Sequence, residues 1–190
     1  EHYNLISALH KSIRGSDPDA ALYWLARILD GGEDPRFIAR RLLRMALEDV
    51  GLADPQAQTI CLHAWQSFER LGSPEGELAL AQAALYLALA PKSNASYKGF
   101  NLSLDLVKQT SSEPPPKHIL NAPTDLMREQ GYGVGYEYDH DNADGFSGQN
   151  YFPEKIERSS AYQPVERGFE RELKKRISYF KSLREKRKSI

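Results

Sequence analysis

The chain has 190 residues, with 25 Lys and Arg against 26 Asp and Glu and a formal net charge of −1. That length fits one large domain or one domain with an appendage, and an apolar content of 41% supplies a real core. Overall charge argues for no particular partner, a single cysteine excludes internal disulfides and cysteine zinc clusters, and the lack of a signal peptide or long apolar run reads as soluble and intracellular.

The first helix spans NLISALHKSI, with Leu5, Ile6, Leu9 and Ile13 in register. Four helix-start signals then recur: Asp17-Pro18, Asp34-Pro35, Asp54-Pro55 and Ser73-Pro74. Each pairs an N-cap side chain, which accepts an orphan backbone N–H, with a proline that lacks one. Gly31, Gly32, Gly51, Gly72 and Pro91 supply the stops. Leu22, Leu25, Ile28 and Leu29 share a face of the second helix; Ile38, Leu42, Met45 and Ala46 do so in the third. Ile60, Ala64, Phe68 and Leu71 line the fourth, which also holds Cys61 as a buried structural thiol. The fifth, ELALAQAALYLALA, is apolar nearly all round, so it is either central or covered by a partner subunit. A sixth runs from Tyr97 to Gln109 through Phe100, Leu104 and Val107.

Composition changes near residue 111. TSSEPPPKHILNAPTDL reads as an extended connector, and a short helix follows from Thr124 to Gln130. GYGVGYEYDHDNADGFSGQNYFP is a long irregular loop whose tyrosines and phenylalanines favour packing onto something. GFERELKKRISYFKSLREKRKSI closes the chain as an amphipathic helix with a basic end. The expected organisation is a helical bundle over 1–110, a connector, short helix and aromatic, acidic loop packed on it over 111–163, and the basic helix over 164–190.

Neither a Walker-type phosphate loop nor a dinucleotide-binding glycine motif is present, and GYGVGY lacks the flanking strand and helix that such a loop needs. Asp139, His140, Asp141 and Asp144 cluster without the glutamate that a calcium loop requires, and read as a solvated acidic loop. The histidines lack metal-ligand spacing. Arg36, Arg40 and Arg44 repeat every fourth residue on the third helix, with Arg41 alongside. Like charges at that spacing repel, and an external anion would relieve them. With Lys174, Lys175 and Lys181 of the last helix, they are the candidate DNA or subunit contacts. The bland reading for both sets is a solvated or internally paired face.

HYNLISALHKSIRGSDPDAALYWLARIL, GGEDPRFIARRLLRMALEDVGLADP, LALAQAALYLALAPKSNASY, HILNAPTDLMREQGYG and the YDHD…Q-x-Y-x-P stretch closely resemble the C-terminal region of the RarA/MgsA family. These are replication-associated recombination proteins, AAA+ ATPases related to clamp loaders. The resemblance covers nearly the whole chain. It implies an all-α fold like a clamp-loader collar, holding subunits together as a homotetramer. It also implies a DNA-dependent ATPase acting at stalled forks and single-strand gaps, cytoplasmic and nucleoid-associated. DNA and single-strand DNA-binding protein are the implied partners, with ATP and magnesium held in an ATPase module outside these residues. Walker, arginine-finger and sensor residues have no positions here, so no catalytic residue carries over and the fragment itself is expected not to be an enzyme.

Two other readings stay open. The helix pairs starting at Asp17 and Asp54 are compatible with a helical-repeat scaffold for protein binding, although only two units are visible. The basic helices are compatible with direct DNA contact.

Overall fold

A computed structural model of the chain describes residues 2–188; residue 1 and the last two of the predicted C-terminal segment, 189 and 190, lie outside the described residues. Among the described residues all regular structure is helical: α1 (His2–Arg14), α2 (Pro18–Asp30), α3 (Pro35–Met45), α4 (Gln56–Leu71), α5 (Glu77–Leu89), α6 (Ala95–Thr110), α7 (Asp125–Glu129) and α8 (Glu170–Lys188), with short 3-10 and π segments between. The all-α bundle expected from capping and periodicity is what the chain forms.

Two of the four start signals act as expected and the third nearly so, with Pro55 standing one residue ahead of α4. Asp17 Oδ1 accepts from the Ala20 N–H, Asp34 Oδ1 from Arg36 and Asp54 Oδ1 from Gln56. The fourth does not. Ser73 and Pro74 sit in a tight reverse turn, and α5 starts only at Glu77, capped by Gly76. The Gly76 N–H donates to the Gly72 carbonyl, and a Cβ at Gly76 would lie 2.8 Å from Phe68 Cα. The chain doubles back too closely on α4 for residue 73 to reach the helix start.

The chain divides into two compact units, one of Glu1–Phe100 with Tyr162–Lys174 and one of Asn101–Ala161 with Lys175–Ile190. In the first, α5 is the hub: it packs against α1, α2, α3 and α4. Its Ala83, Ala84 and Ala88 are buried, and such small side chains let neighbouring helices approach. Around it Leu9, Ile13, Ile28, Ile38, Leu42, Met45, Leu80 and Leu87 are fully buried. Most of the apolar character of α5 is therefore explained within the unit, where it meets helices on several sides, while Leu78 and Leu89 at its two ends stay exposed. A repeat solenoid has units that touch only their neighbours; a helix shared by four others departs from that pattern. Cys61 is buried against the Leu42 carbonyl, and burial pushes its thiol up to about 12, far from nucleophilic at neutral pH.

In the second unit, the long aromatic loop is tied down at several points. Phe146 stacks near Phe180 of α8, with ring centroids 5.3 Å apart, and the Arg184 and Arg187 guanidiniums lie 4.9 and 5.7 Å from its centroid. Arg187 also donates to Asn142 Oδ1, Asp144 Oδ1 and the Ser147 carbonyl. Two cations of the C-terminal run are thus occupied in holding this loop.

The acidic part of the loop is a turn built on Asp139, not a free patch. Asp139 accepts from the Ser147 N–H at 2.7 Å and from the Tyr151 hydroxyl at 2.8 Å. The Ser147 backbone bond, then the Ser147 and Tyr151 side chains, hold its carboxyl down to about 2. A carboxyl lowered on folding stabilises the native turn above its ordinary range, near 3.9, and the effect is lost as pH falls through about 2. Amide exchange should show Ser147 protected from pH 6 down to 3, and Asp139→Ala should remove that protection throughout. Equal protection in the variant would mean that the turn does not depend on Asp139.

Candidate functional site

The arginine stripe of α3 ends in an irregularity that the sequence does not announce. Immediately after Met45 the chain widens into a π turn, Ala46–Val50, closed when the Gly51 N–H donates to the Ala46 carbonyl. Gly51 has φ 53, and a Cβ there would stand 3.2 Å from the Ser93 carbonyl, so glycine suits this exit. The turn places Glu48 and Asp49, consecutive residues, against cations from two helices. π turns of this kind recur at functional sites.

Asp49 is 6% exposed. Its Oδ2 lies 2.5 Å from His10 Nε2, and its Oδ1 accepts from Arg14 Nε at 2.6 Å. Arg41 approaches the other ring nitrogen, Nδ1, at 3.3 Å. An ionised carboxylate can only accept, so Nε2 carries the proton given to Asp49; Arg14 Nη2, 3.1 Å from the same nitrogen, is a close neighbour there, and Nδ1 is left to accept from Arg41. Burial alone would raise the Asp49 carboxyl, but the hydrogen bonds from His10 and Arg14 outweigh it and leave it below its usual value. The Arg14 guanidinium is raised in return, chiefly by its bond to Asp49. Glu48 accepts from Arg44 Nε at 2.8 Å and more distantly from Arg14 at 3.4 Å.

His10, Glu48 and Asp49 bring possible metal-ligand atoms within 4.8 Å of one another. The donor set does not fit a cation. Arg14 bridges both carboxylates, and Arg44 and Arg41 take up Glu48 and the second imidazole nitrogen. A divalent ion would sit among guanidiniums, so the cluster is an ionic brace between α1 and the end of α3.

Two clefts flank this brace. One, of about 470 Å³, is lined by Arg40, Arg41, Arg44 and Glu48. The other, of about 430 Å³, is lined by Arg14, Glu48, Asp49, Lys92, Ser93, Asn94, Tyr97 and Arg167. In the second cleft the cations are already used. Lys92 Nζ donates to the Ala88 and Ala90 carbonyls at the end of α5, and Arg167 Nε donates to the Lys92 carbonyl.

The structure separates the seven basic residues singled out from the sequence. Arg36 turns away to Glu69 of α4 at 2.8 Å and is a paired surface residue. Arg40, Arg41 and Arg44 come together at one cleft. Arg40 lies 5.8 Å from the Phe37 ring centroid and Arg44 5.5 Å from that of Tyr97. Lys174 pairs with Glu166 at 2.6 Å. Lys175 and Lys181 are exposed and form no ion pair among the described residues. The sequence reading missed the His10–Asp49–Arg14 brace. The only local signal for it was His10 and Arg14 standing four residues apart, on one face of α1.

A second surface feature belongs to α6. Its periodicity puts Tyr97, Phe100, Leu104 and Val107 on one face, the side a helix ordinarily buries. That face is outward: Phe100 is 67% exposed, Val107 55%, Leu104 44% and Tyr97 40%. Ala95 and Gly99, on the opposite side, are the helix's buried residues.

These features define the class: an all-α module whose ionic groups brace helices to one another, with arginines and apolar side chains turned outward. Within that class the chain belongs to the family described as MgsA AAA+ ATPase C terminal, whose model matches residues 15–181. Among curated proteins it is 54% identical over 188 residues to replication-associated recombination protein A of Coxiella burnetii, covering 98% of this chain and 43% of that protein. The protein of the same name in Haemophilus influenzae is 52% identical, with 98% and 42% covered, and that of Escherichia coli K12 50% identical, with 93% and 40% covered. The chain thus spans less than half the length of these relatives and corresponds to their C-terminal part. No helix among the described residues is long and apolar enough to cross a membrane.

Proposed function

We propose that this chain is the homo-oligomerisation module, assembling as a tetramer, of a DNA-dependent AAA+ ATPase that acts in replication-fork maintenance, recombination and DNA repair. The observation that carries the reading is the outward apolar face of α6. Four large side chains at helical spacing form a stripe that water does not favour and that a second copy of the same stripe would cover. The family description supports an ATPase module elsewhere in the polypeptide, and that module would hold ATP and magnesium. The relatives' name supports a role on replicating DNA. DNA and single-strand DNA-binding protein are the partners this reading entails, in the cytoplasm with the nucleoid. Residues 1–190 themselves have the scaffold role and do not hydrolyse ATP.

Light scattering on the purified chain from 1 to 200 µM (about two decades) tests the assembly. A tetramer, or a monomer–oligomer equilibrium moving with concentration, is expected. A monomer at every concentration overturns the proposal.

A further inference from the structure

We infer that Arg40, Arg41 and Arg44 form a binding site for a phosphate oxyanion. The site is argued from α3 and not from the assembly proposal, although Arg44 lies against Tyr97 at one end of the α6 stripe. Three guanidiniums face a cleft of about 470 Å³ that contains a single carboxylate, Glu48. That carboxylate is not free to neutralise them. One of its oxygens accepts from Arg44 Nε and the other is shared with Arg14. Asp49, the next acid, is taken by His10 and Arg14. The cleft therefore keeps an excess of positive charge that the fold leaves unmatched.

Each arginine shows a separate sign of that excess. Arg40 forms no ion pair or hydrogen bond among the described residues, yet it lies against the Phe37 ring, and such stacking limits how freely its guanidinium moves. Arg44 uses only Nε on Glu48 and stacks by Tyr97, leaving its terminal nitrogens available. Arg41 donates through one terminal nitrogen to His10, while its Nε is a buried donor with no acceptor. Native folds leave few such donors, and a water or a bound oxygen ordinarily meets them. Forked, planar donors suit the several equivalent oxygens of a phosphate. Arg40 and Arg44 lie one turn apart on α3, about 6 Å along its axis, with Arg41 next to Arg40. The second cleft offers no comparable set, because its lysine and arginines are engaged by carbonyls and carboxylates of the fold.

A phosphate can come from a nucleic-acid backbone or from a free phosphate or nucleotide, and the two sources separate experimentally. Fluorescence anisotropy of a labelled 20-nucleotide oligothymidylate is measured at 50 and 200 mM NaCl, with inorganic pyrophosphate and hexaglutamate as competitors. The expected result is binding at 50 mM salt that weakens at 200 mM and resists hexaglutamate. Arg40→Glu, which disturbs no ion pair of the fold, should weaken it at least about 10-fold. Arg40→Gln with Arg44→Gln should flatten the salt dependence by about 1.4 in logarithmic slope, as for two lost single-strand phosphate contacts. Lys155→Gln, at a surface pair with Glu113, should leave binding unchanged, and circular dichroism should show every variant folded. Direct calorimetric binding of pyrophosphate, lost in Arg40→Glu while the oligonucleotide stays inert, would assign the same site to a free phosphate. Absence of binding by both probes at 50 mM salt overturns the inference. So does an Arg40→Glu variant that binds like the parent, or displacement by hexaglutamate at concentrations where pyrophosphate has no effect.

Discussion

Phe100→Glu combined with Leu104→Glu is expected to convert the proposed oligomer into monomers and to leave the melting temperature within about 2 °C of the parent. Both side chains are exposed within the single chain, so their loss removes no core contact, and surface substitutions usually change stability by less than about 0.5 kcal/mol. Glutamate is a good helix former, so α6 itself should survive. At a contact between copies the effect is large. Truncating a central apolar anchor costs about 2 kcal/mol or more, and a buried unpaired charge adds to that. Two such positions weaken association on the order of 1000-fold. Light scattering over a concentration series reads the assembly and thermal melting reads the fold. An unchanged oligomer would remove α6 from the interface. A monomer with a collapsed melting temperature would mean that this face stabilises the chain itself.

Asp49→Ala should produce a large loss of stability. It leaves the His10 Nε2–H buried without an acceptor and Arg14 without its main partner. Removing one member of a buried ionic set typically costs 3–5 kcal/mol. Arg14 is about half exposed and can turn to water, so the low end applies, about 3 kcal/mol and a fall of roughly 10 °C in melting temperature. The pH dependence has a definite sign. Because the folded carboxyl is lowered, its contribution is complete above the ordinary aspartate range, near 3.9, and is lost as pH falls through its lower folded value. The parent and variant curves should therefore separate at neutral pH and converge in acid. A difference under 2 °C at pH 7 would show that the brace is dispensable. If zinc or manganese raised the parent's melting temperature by several degrees, the cluster would be a metal site and not a brace.

Helix existence was legible in the residues because its causes are local. Asp17, Asp34 and Asp54 each satisfy a backbone N–H within three residues, and apolar spacing marks which side of α1 to α4 faces inward. The sense of α6 was not legible. Tyr97, Phe100, Leu104 and Val107 have the spacing of a core face, and periodicity records that a face seeks cover without recording whose. α5 is the converse case. Its uniform apolarity is compatible with a partner, and its own unit supplies neighbours for all but its ends, where Leu78 and Leu89 stay exposed. Likewise the stripe of Arg36, Arg40 and Arg44 was visible as a charge pattern, but the sequence could not foretell that Glu69 would engage the first and leave the second unmatched. The π turn escaped because ALEDV reads as ordinary helix; its widening is set by the long-range partners of Asp49.

That turn also sets the phase of everything after it. A π turn holds one residue more than an α turn, so deleting a residue within Ala46–Val50 would restore an unbroken α-helix. The helix would lose nothing by its own standards, but Asp49 would rotate away from His10 and Arg14, and the Asp49 carbonyl would leave the Ser93 N–H that it accepts. Insertions and deletions are ordinarily tolerated where helices give way to loops. Here chain length is itself a constraint, and substitutions at exposed Leu47 should be tolerated where its removal is not.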